Sequence, residues 1–143
     1  MPTKASPRIA SYVDALPLRP GQRVLEIGCG PGVAAREVSR RIGDGKTVAI
    51  DRSAKAIAAA VQGSASELET GRLEFRTVAI EDFELERGEE PFDLAFAMRV
   101  GALDGRHPEA GKRAMRRLKA ALKPEGLLFI DASRPIKGKN IVA

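Results

Sequence analysis

The strongest constraint on this chain is the run Val24–Gly32, in which an apolar segment stops at three glycines within five positions. Ile27 is the last apolar residue before the glycines, and a helical pattern begins at Val33. Glycine permits a positive φ and lets a ligand approach the main chain without meeting a Cβ. Backbone N–H groups of such a turn and of the following helix are expected to point at a bound group. The run therefore predicts a nucleotide-binding turn between a buried strand and a helix.

The rest of the chain alternates short apolar runs with helical patterns. Ser6 and Pro7 suit the start of a first helix, and Ser53 can cap an Ala-rich helix that runs to about Leu68. Predicted helices cover 7–16, 33–42, 54–68 and 108–122, and predicted strands cover 24–27, 47–50, 73–78, 92–97 and 127–130. Continuous apolar strands between helices indicate an α/β fold with a doubly wound, mostly parallel sheet, here shortened after strand five.

Four features follow predicted strands and should meet at one edge of this sheet. They are the glycine turn, Asp51, the segment 79–83 and the segment 97–100. In open α/β sheets, ligands bind beyond the carboxyl ends of the strands, near the point where the strand order reverses. We therefore expect one crevice to contain all four features.

Composition limits the classes of protein that this chain can belong to. A length of 143 residues fits one domain, with a lead-in helix over 1–20, a core over 21–131 and a tail over 132–143. Cys29 is the only cysteine, and no apolar run approaches the roughly 20 residues of a membrane helix. We expect a cytoplasmic protein without a metal site. From residue 99 onward, eleven Lys and Arg face four Asp and Glu, which makes a nucleic-acid partner admissible but weakly supported.

The glycine turn is compatible with two classes of nucleotide ligand, which the spacing of the motif helps to distinguish. The dinucleotide pattern G-x-G-x-x-G/A needs a third small residue at position 33, which is Val33, whereas the third glycine is Gly32. Glu26 is also unusual at a strand position that is normally apolar, because a buried carboxylate needs a cation or hydrogen-bond donors. A ligand that carries an ammonium and a sulfonium group would supply such a cation. This disfavours an NAD-dependent oxidoreductase.

At these residues the chain resembles the class I S-adenosylmethionine-dependent methyltransferases. The resemblance runs from Val24 to about Ser133 and includes the run Val24–Gly32, Val48–Asp51, Phe92–Ala95 and Leu122–Leu128 in order. It implies that S-adenosylmethionine is the cofactor. The residues it assigns to the cofactor are Glu26, Gly28, Cys29, Gly30, Asp51, Arg52, Ile80, Glu81 and Ala97.

The resemblance also implies particular roles. Gly28 and Gly30 would hold the methionine part, with Glu26 organising donors beside it, and Asp51 would accept hydrogen bonds from the ribose while Arg52 lies along the adenine. The adenine amino group would be met by Glu81, by Asp82 or by the main chain of Ile80. An alternative for Asp51 is a cap of the following helix.

The methyl acceptor is not identified by any motif. Ala97–Val100 lacks the Asn/Asp-Pro-Pro-aromatic pattern of enzymes that methylate base or glutamine amino groups. His107, the sole histidine, is either a general base or, the interpretation we favour, a loop residue beside a helix start. Arg99 either holds an acidic group or lies on the surface. The function predicted is methyl transfer to an unidentified acceptor, and the alternative is a non-catalytic cofactor-binding module or truncated partner subunit.

The C-terminal tail raises the question of an uncovered sheet edge. The family sheet continues past strand five, whereas this sequence has twelve residues after Asp131, of which Ile141 and Val142 could be part of another strand. An apolar unpaired edge at 127–130 would need a cover. We therefore predict that a second copy of the chain covers it in a homodimer.

Overall fold

A six-stranded sheet forms the centre of the computed structural model, which describes residues 5–143. Its strands are β1 (Arg23–Ile27), β2 (Lys46–Asp51), β3 (Leu73–Thr77), β4 (Phe92–Ala97), β5 (Leu122–Ile130) and β6 (Ile136–Lys137). They lie in the order β3-β2-β1-β4-β5-β6, and only β6 is antiparallel to its neighbour. The predicted doubly wound, mostly parallel α/β fold is confirmed. The strand order reverses between β1 and β4, which is where a ligand crevice is expected.

Helices cover both faces of the sheet. They are α1 (Pro7–Ala15), α2 (Val33–Arg41), α3 (Ala54–Gln62), α4 (Ala65–Glu69) and α5 (Pro108–Ala121), with 3₁₀ turns over Ile80–Asp82 and Gly138–Asn140. On β1, Leu25 and Ile27 pack in the core on the α5 side, whereas Val24 packs with α1 and α2. Because side chains alternate along a strand, Glu26 lies on the α1–α2 face. None of these helices has both the length and the apolar character needed to span a bilayer.

The predicted caps of α1 and α3 are confirmed. Ser6 Oγ accepts a hydrogen bond from the Ile9 amide at 3.3 Å, and Ser53 Oγ accepts one from the Ala56 amide at 3.1 Å. Each bond satisfies one of the N–H groups that the first turn of a helix leaves without a partner. The cap at Ser53 fixes where the chain turns after β2.

The single helix predicted over 54–68 is wrong, because the chain breaks between α3 and α4. Ser64 is fully buried at the break and accepts a hydrogen bond from Arg36 Nη1 at 2.8 Å. A Cβ at Gly63 would lie 3.2 Å from the same nitrogen. A contact with α2 therefore ends α3, and helix propensity alone could not show it.

The start of β5 also differs from the prediction. The predicted strand begins at residue 127, whereas β5 begins at Leu122, which pairs with Phe92 before the register shifts. Pro124 has no N–H to donate, so it fits at such an irregularity. A Cβ at Gly126 would lie 2.9 Å from the Phe92 carbonyl oxygen, so this strand position needs a glycine.

The tail of the chain covers part of the β5 edge. Lys137 pairs with Leu127 and Ile136 with Leu128, while Ile141 is buried after the second 3₁₀ turn and is not in a strand. The edge of β5 is therefore covered at Leu127 and Leu128 by the chain itself, and the argument that an uncovered edge requires a second copy is wrong there. The homodimer itself stays a prediction, which sedimentation at micromolar concentration tests.

We predict that Gly138→Ala detaches this tail. The added Cβ would lie 2.3 Å from the Lys123 carbonyl oxygen, a backbone atom of β5 that cannot swing away. The free energy of unfolding should fall by about 2 kcal/mol or more, and amide exchange at Leu127 and Leu128 should accelerate. Gly88→Ala is the control, because its φ is +80° but no atom lies within 4 Å, so it should lose only about 1 kcal/mol. Equal losses in chemical denaturation would contradict the packing described.

Candidate functional site

The glycine turn after β1 is held from within the protein. The amides of Gly28 and Cys29 both donate to the Ile50 carbonyl oxygen, at 2.8 and 2.9 Å. The Gly30 amide donates to Asp51 Oδ2 at 2.9 Å. These N–H groups are therefore not aimed at a ligand, and the expectation that they would be is wrong for these three residues. Of the three glycines, Gly30 alone has open space around its Cα, since no atom lies within 4 Å of the place that a Cβ would take, whereas a Cβ on Gly28 would lie 2.7 Å from Val100 Cγ2.

Asp51 connects the end of β2 to two neighbouring segments. Its Oδ2 holds Gly30, and its Oδ1 accepts a hydrogen bond from the Ser53 amide at 2.9 Å. The N-cap of α3 is Ser53, so Asp51 supports the start of that helix without being its cap. A carboxylate has about four lone-pair sites, so two remain for a ligand such as a ribose.

A cavity of about 560 Å³ lies at the carboxyl ends of the strands. Five of the nine residues predicted to bind the cofactor line it: Gly28, Asp51, Arg52, Ile80 and Glu81. Glu26, Cys29, Gly30 and Ala97 do not line it. Glu26 and Cys29 adjoin lining residues in sequence, Gly30 lies in the turn, and Ala97 pairs with Ile27, which lines the cavity. Further lining residues are Ile27, Ile50, Val78, Ala79, Arg99, Val100, Gly101, Ala102, His107 and Ala110. The four strand-following features do meet in one crevice.

The structure distinguishes between Glu81 and Asp82. Glu81 is half-buried and lines the cavity. Asp82 is exposed, lies outside the lining and forms a 2.8 Å ion pair with Arg113. The sequence did not decide which of these two carboxylates meets the adenine. Glu81 is the one that is placed to contact a ligand in the cavity.

Glu26 is a buried carboxyl group whose Oε1 has no hydrogen-bond partner. Burial and, to a smaller extent, the charge of Asp51 raise its pKa from 4.5 to about 8, and the Ala35 backbone amide opposes this shift. An orphaned buried polar atom is expensive unless a ligand satisfies it. A cationic group bound beside the turn would do so.

Two residues that line the cavity, His107 and Arg99, were not assigned to the cofactor site from the sequence. His107 stands at the start of α5 as predicted, but it also lines the cavity, and its ring is 3.0 Å from where a Cβ on Gly101 would lie. Arg99 is exposed, lines the cavity and has a φ of 57°. The sole histidine and a charged residue directly after a strand were the available signals.

A second cavity of about 500 Å³ lies between α1 and the end of β5. Leu16 and Phe129 are among its apolar lining residues, and Arg8, Tyr12 and Asp131 are among its polar ones. A smaller cavity of about 240 Å³ shares Tyr12 and Asp131 with it and shares Arg99 with the cavity above the turn. The three cavities thus form a series across the ends of β1, β4 and β5.

Strain is concentrated where these cavities adjoin. Arg99 and Asp131 are the two non-glycine residues within 5–143 that have a positive φ, at 57° and 48°. The Arg99 amide donates to Asp131 Oδ1 at 2.6 Å, which holds both conformations. Non-glycine residues in this conformation are costly and concentrate at functional sites.

Tyr12 of α1, which was not among the predicted site residues, has a buried hydroxyl group without a hydrogen-bond partner. Burial and the charges of Asp131 and Glu26 raise its pKa to about 12, so the phenol is neutral at physiological pH. It therefore provides an available hydrogen-bonding group between the two cavities. A lone tyrosine on an otherwise apolar helix stripe was the signal that could have found it.

Cys29 has no chemical role that the geometry supports. Its thiol is buried, and burial raises its pKa, so the reactive thiolate is not formed.

Comparisons with known proteins identify the family. Residues 24–126 match the family described as methyltransferase domain. The protein-L-isoaspartate O-methyltransferase of Methylorubrum extorquens (strain PA1) is 35% identical over 130 residues, which are 89% of this chain and 49% of that protein. The chain belongs to the class I S-adenosylmethionine-dependent methyltransferase family.

Solved structures show the same fold. The [4+2]-cyclase SpnF superposes with a TM-score of 0.68 at 28% identity, over 86% of this chain and 43% of that one. Phosphoethanolamine N-methyltransferase 2 of Haemonchus contortus, solved with phosphomonomethylethanolamine and S-adenosylhomocysteine, gives 0.66 at 26% identity, over 85% and 27%. The chain thus spans about half the length, or less, of these relatives.

We predict that Glu26 makes the stability of the ligand-free protein fall as pH rises. Because its pKa is raised to about 8, the folded state binds one more proton than the unfolded state between pH 4.5 and 8. Stability is therefore lost through this range and is constant above it. Glu26→Gln cannot ionise, so its advantage over wild type should grow by on the order of 4 kcal/mol between pH 5 and 9.

Urea denaturation at several pH values measures this effect. Glu109→Gln is the control, because Glu109 is exposed on α5. Parallel profiles of Glu26→Gln and wild type would show that the carboxyl group is not buried as described.

Proposed function

We propose that this chain binds S-adenosylmethionine in the cavity above the glycine turn and transfers its methyl group to a small molecule with a nucleophilic oxygen. The observation that carries the proposal is the cavity itself, which joins the glycine turn, Asp51 and Glu81 at the point where the strand order reverses. Family membership supports the cofactor, and the series of adjoining cavities supports the acceptor.

The residues present fit this cofactor. The open space over Gly30 admits a ligand close to the main chain, and the orphaned Glu26 Oε1 suits an ammonium group. Asp51 has lone pairs left for ribose hydroxyl groups, and Glu81 with Ile80 lies where the adenine would be met. Apolar lining from Ile80 and its neighbours suits the flat base.

When bound, the cofactor would supply an electrophilic methyl group on a sulfonium sulfur, and its transfer to the acceptor oxygen would leave a thioether. The protein needs to hold the two reactants in line and to exclude water, and such positioning accounts for much of the acceleration in reactions of this kind. The proton of an acceptor hydroxyl must leave, and Asp131 lines the cavity in which we place that hydroxyl.

The acceptor is placed in the second cavity because of its size and lining. A volume of about 500 Å³ suits a drug-sized molecule. Leu16 and Phe129 would contact an apolar body, while Tyr12 and Asp131 would meet its hydroxyl group. Transfer to oxygen is also what the name of the 35% identical isoaspartate relative describes.

The charge pattern favours a small acceptor over nucleic acid. Several of the C-terminal cations are paired with carboxylates of this chain, which lowers the free positive charge. The pairs are Arg113–Asp82, Arg117–Glu84, Lys123–Asp93, Lys137–Glu125 and Lys139–Glu125. Cations that are already paired are less able to neutralise a phosphate backbone.

We predict that the protein binds S-adenosylhomocysteine, and more tightly than NAD. Glu81→Ala should weaken binding about five- to tenfold, in line with one lost hydrogen bond. Asp82→Ala makes the same charge change next to it, outside the cavity, and should leave the affinity unchanged. Isothermal titration calorimetry measures the affinity of the wild-type protein for both ligands and the affinity of each variant for S-adenosylhomocysteine. Asp51→Ala is less informative, because Asp51 also holds Gly30 and Ser53.

Tighter binding of NAD, or equal losses in both variants, would contradict this assignment. Binding of S-adenosylhomocysteine without methyl transfer to any acceptor would favour the alternative, a cofactor-binding module without catalysis.

We predict that Tyr12→Phe lowers methyl transfer without weakening the fold. The hydroxyl has no partner inside the protein, so its removal should leave the unfolding temperature unchanged or raise it. Transfer of labelled methyl from S-adenosylmethionine to a panel of phenols and small alcohols should fall tenfold or more, which corresponds to about 1.4 kcal/mol. Affinity for S-adenosylhomocysteine should change less than twofold. Undiminished transfer to a panel member that wild type methylates would place the acceptor elsewhere.

A further inference from the structure

One side of α1 lines the second cavity, and it begins with a charged residue. The lining residues on this side are Arg8, Ser11, Tyr12 and Ala15, which follow the helical spacing of three and four positions. Arg8 also lines the smaller cavity together with Arg99, but it does not line the cavity above the glycine turn. Arg8 is therefore placed in the region where we expect the methyl acceptor, and outside the proposed cofactor site.

The guanidinium group of Arg8 has no anionic partner within residues 5–143. Residues 1–4 contain no acidic side chain. The acidic residue of α1 is Asp14, and it is paired with Arg41 of α2. A ligand anion can therefore pair with Arg8 without displacing a partner from within the protein.

Stabilisation of the helix does not explain a cation at this position. Ser6 is the N-cap of α1 and Pro7 is its first residue, so Arg8 lies in the first turn, which contains no acidic residue. The positive end of the helix dipole lies there, and a cation at this end is unfavourable. An anion bound against Arg8 would offset this repulsion.

The balance of charge in the two cavities favours an acceptor with a single negative charge. Arg8 and Arg99 line the smaller cavity, and Asp131 is the one carboxylate among the residues that line either cavity. One oxygen of Asp131 accepts the hydrogen bond from the Arg99 amide at 2.6 Å. Two guanidinium groups against one carboxylate leave one positive charge in excess, which matches a carboxylate better than a doubly charged phosphate.

We propose that the methyl acceptor is a hydroxy acid and that Arg8 selects it by pairing with its carboxylate. The inference rests on the proposed function. The hydroxyl group of the acceptor lies at Tyr12 and Asp131, as above. Tyr12 is four residues after Arg8, and side chains with this spacing are neighbours on a helix, about 5 to 6 Å apart at Cβ. One small molecule can therefore contact both residues.

This arrangement specifies the product. The methyl carbon forms a bond to the hydroxyl oxygen as its bond to sulfur breaks, and the hydroxyl proton passes to the Asp131 carboxylate. The carboxylate of the acceptor stays against Arg8 and is not changed. The product is therefore a methoxy acid and not a methyl ester.

The test compares acceptors that differ in charge. The meta and para isomers of hydroxybenzoate carry a carboxylate, and the corresponding hydroxybenzamides have nearly the same size without the charge. We expect wild-type protein to methylate at least one acid with a kcat/KM about tenfold above that of its amide, in line with one charge-assisted hydrogen bond. Arg8→Gln should reduce this ratio about tenfold, since it removes that bond.

Binding provides a second readout that does not depend on turnover. With S-adenosylhomocysteine bound, Arg8→Gln should weaken calorimetric binding of the preferred acid about tenfold. The affinity for S-adenosylhomocysteine itself should change less than about twofold, because Arg8 does not line its cavity.

Two further variants separate recognition from folding and from net charge. Arg8→Glu should remove the preference for the acid but raise the unfolding temperature, because an acidic residue suits the first turn of a helix. A residue that acted only through the fold would lose the preference and the stability together. Arg116→Gln makes the same charge change as Arg8→Gln at an exposed position of α5, outside the three cavities, and should leave the ratio unchanged.

Several results would overturn the proposal and leave the proposed function in place. They are equal rates for acid and amide in wild type, a methyl ester as the product, and transfer only to neutral alcohols or phenols. A loss of the ratio in Arg99→Gln but not in Arg8→Gln would likewise overturn the role of Arg8. Absence of methyl transfer to every acid, amide and alcohol would instead contradict the proposed function itself.

Discussion

The interaction on which the site depends is the carboxylate of Asp51 at the end of β2. It holds the Gly30 amide with one oxygen and the Ser53 amide with the other, so a single side chain joins the glycine turn to the start of α3. At the same place, the Ile50 carbonyl oxygen accepts hydrogen bonds from the amides of Gly28 and Cys29. These bonds connect the loop after β1 to the end of β2 and so form the floor of the cavity without any contribution from a ligand.

The two faces of the sheet contribute different parts of the site. Side chains at the end of β2 and after β3 and β4 form the cavity above the turn. Glu26 lies on the opposite face of β1, toward α1 and α2, and Tyr12 of α1 lines the second cavity beside the end of β5. Arg99 and Asp131 adjoin both regions in a strained backbone conformation. Cofactor and acceptor would thus approach each other over the ends of β1 and β4, where the strand order reverses.

Most of the fold could be predicted, because continuous apolar strands and capped helices are local patterns that do not depend on distant residues. The exceptions were long-range contacts. The chain breaks after α3 because Arg36 meets Ser64, and β5 begins early because Leu122 pairs with Phe92. The distinction between Glu81 and Asp82 likewise depended on Arg113, which is 31 residues from Asp82.

The sequence by itself determined the class of fold, the position of the glycine turn and the carboxylates at the strand ends, since spacing along the chain records these directly. Only the tertiary structure decided which groups are available to a ligand. The turn amides are occupied by Ile50 and Asp51, whereas Tyr12 and Glu26 retain buried polar atoms without partners. Hydrogen-bond occupancy and burial depend on which segments meet in space, and no local pattern in the chain specifies that.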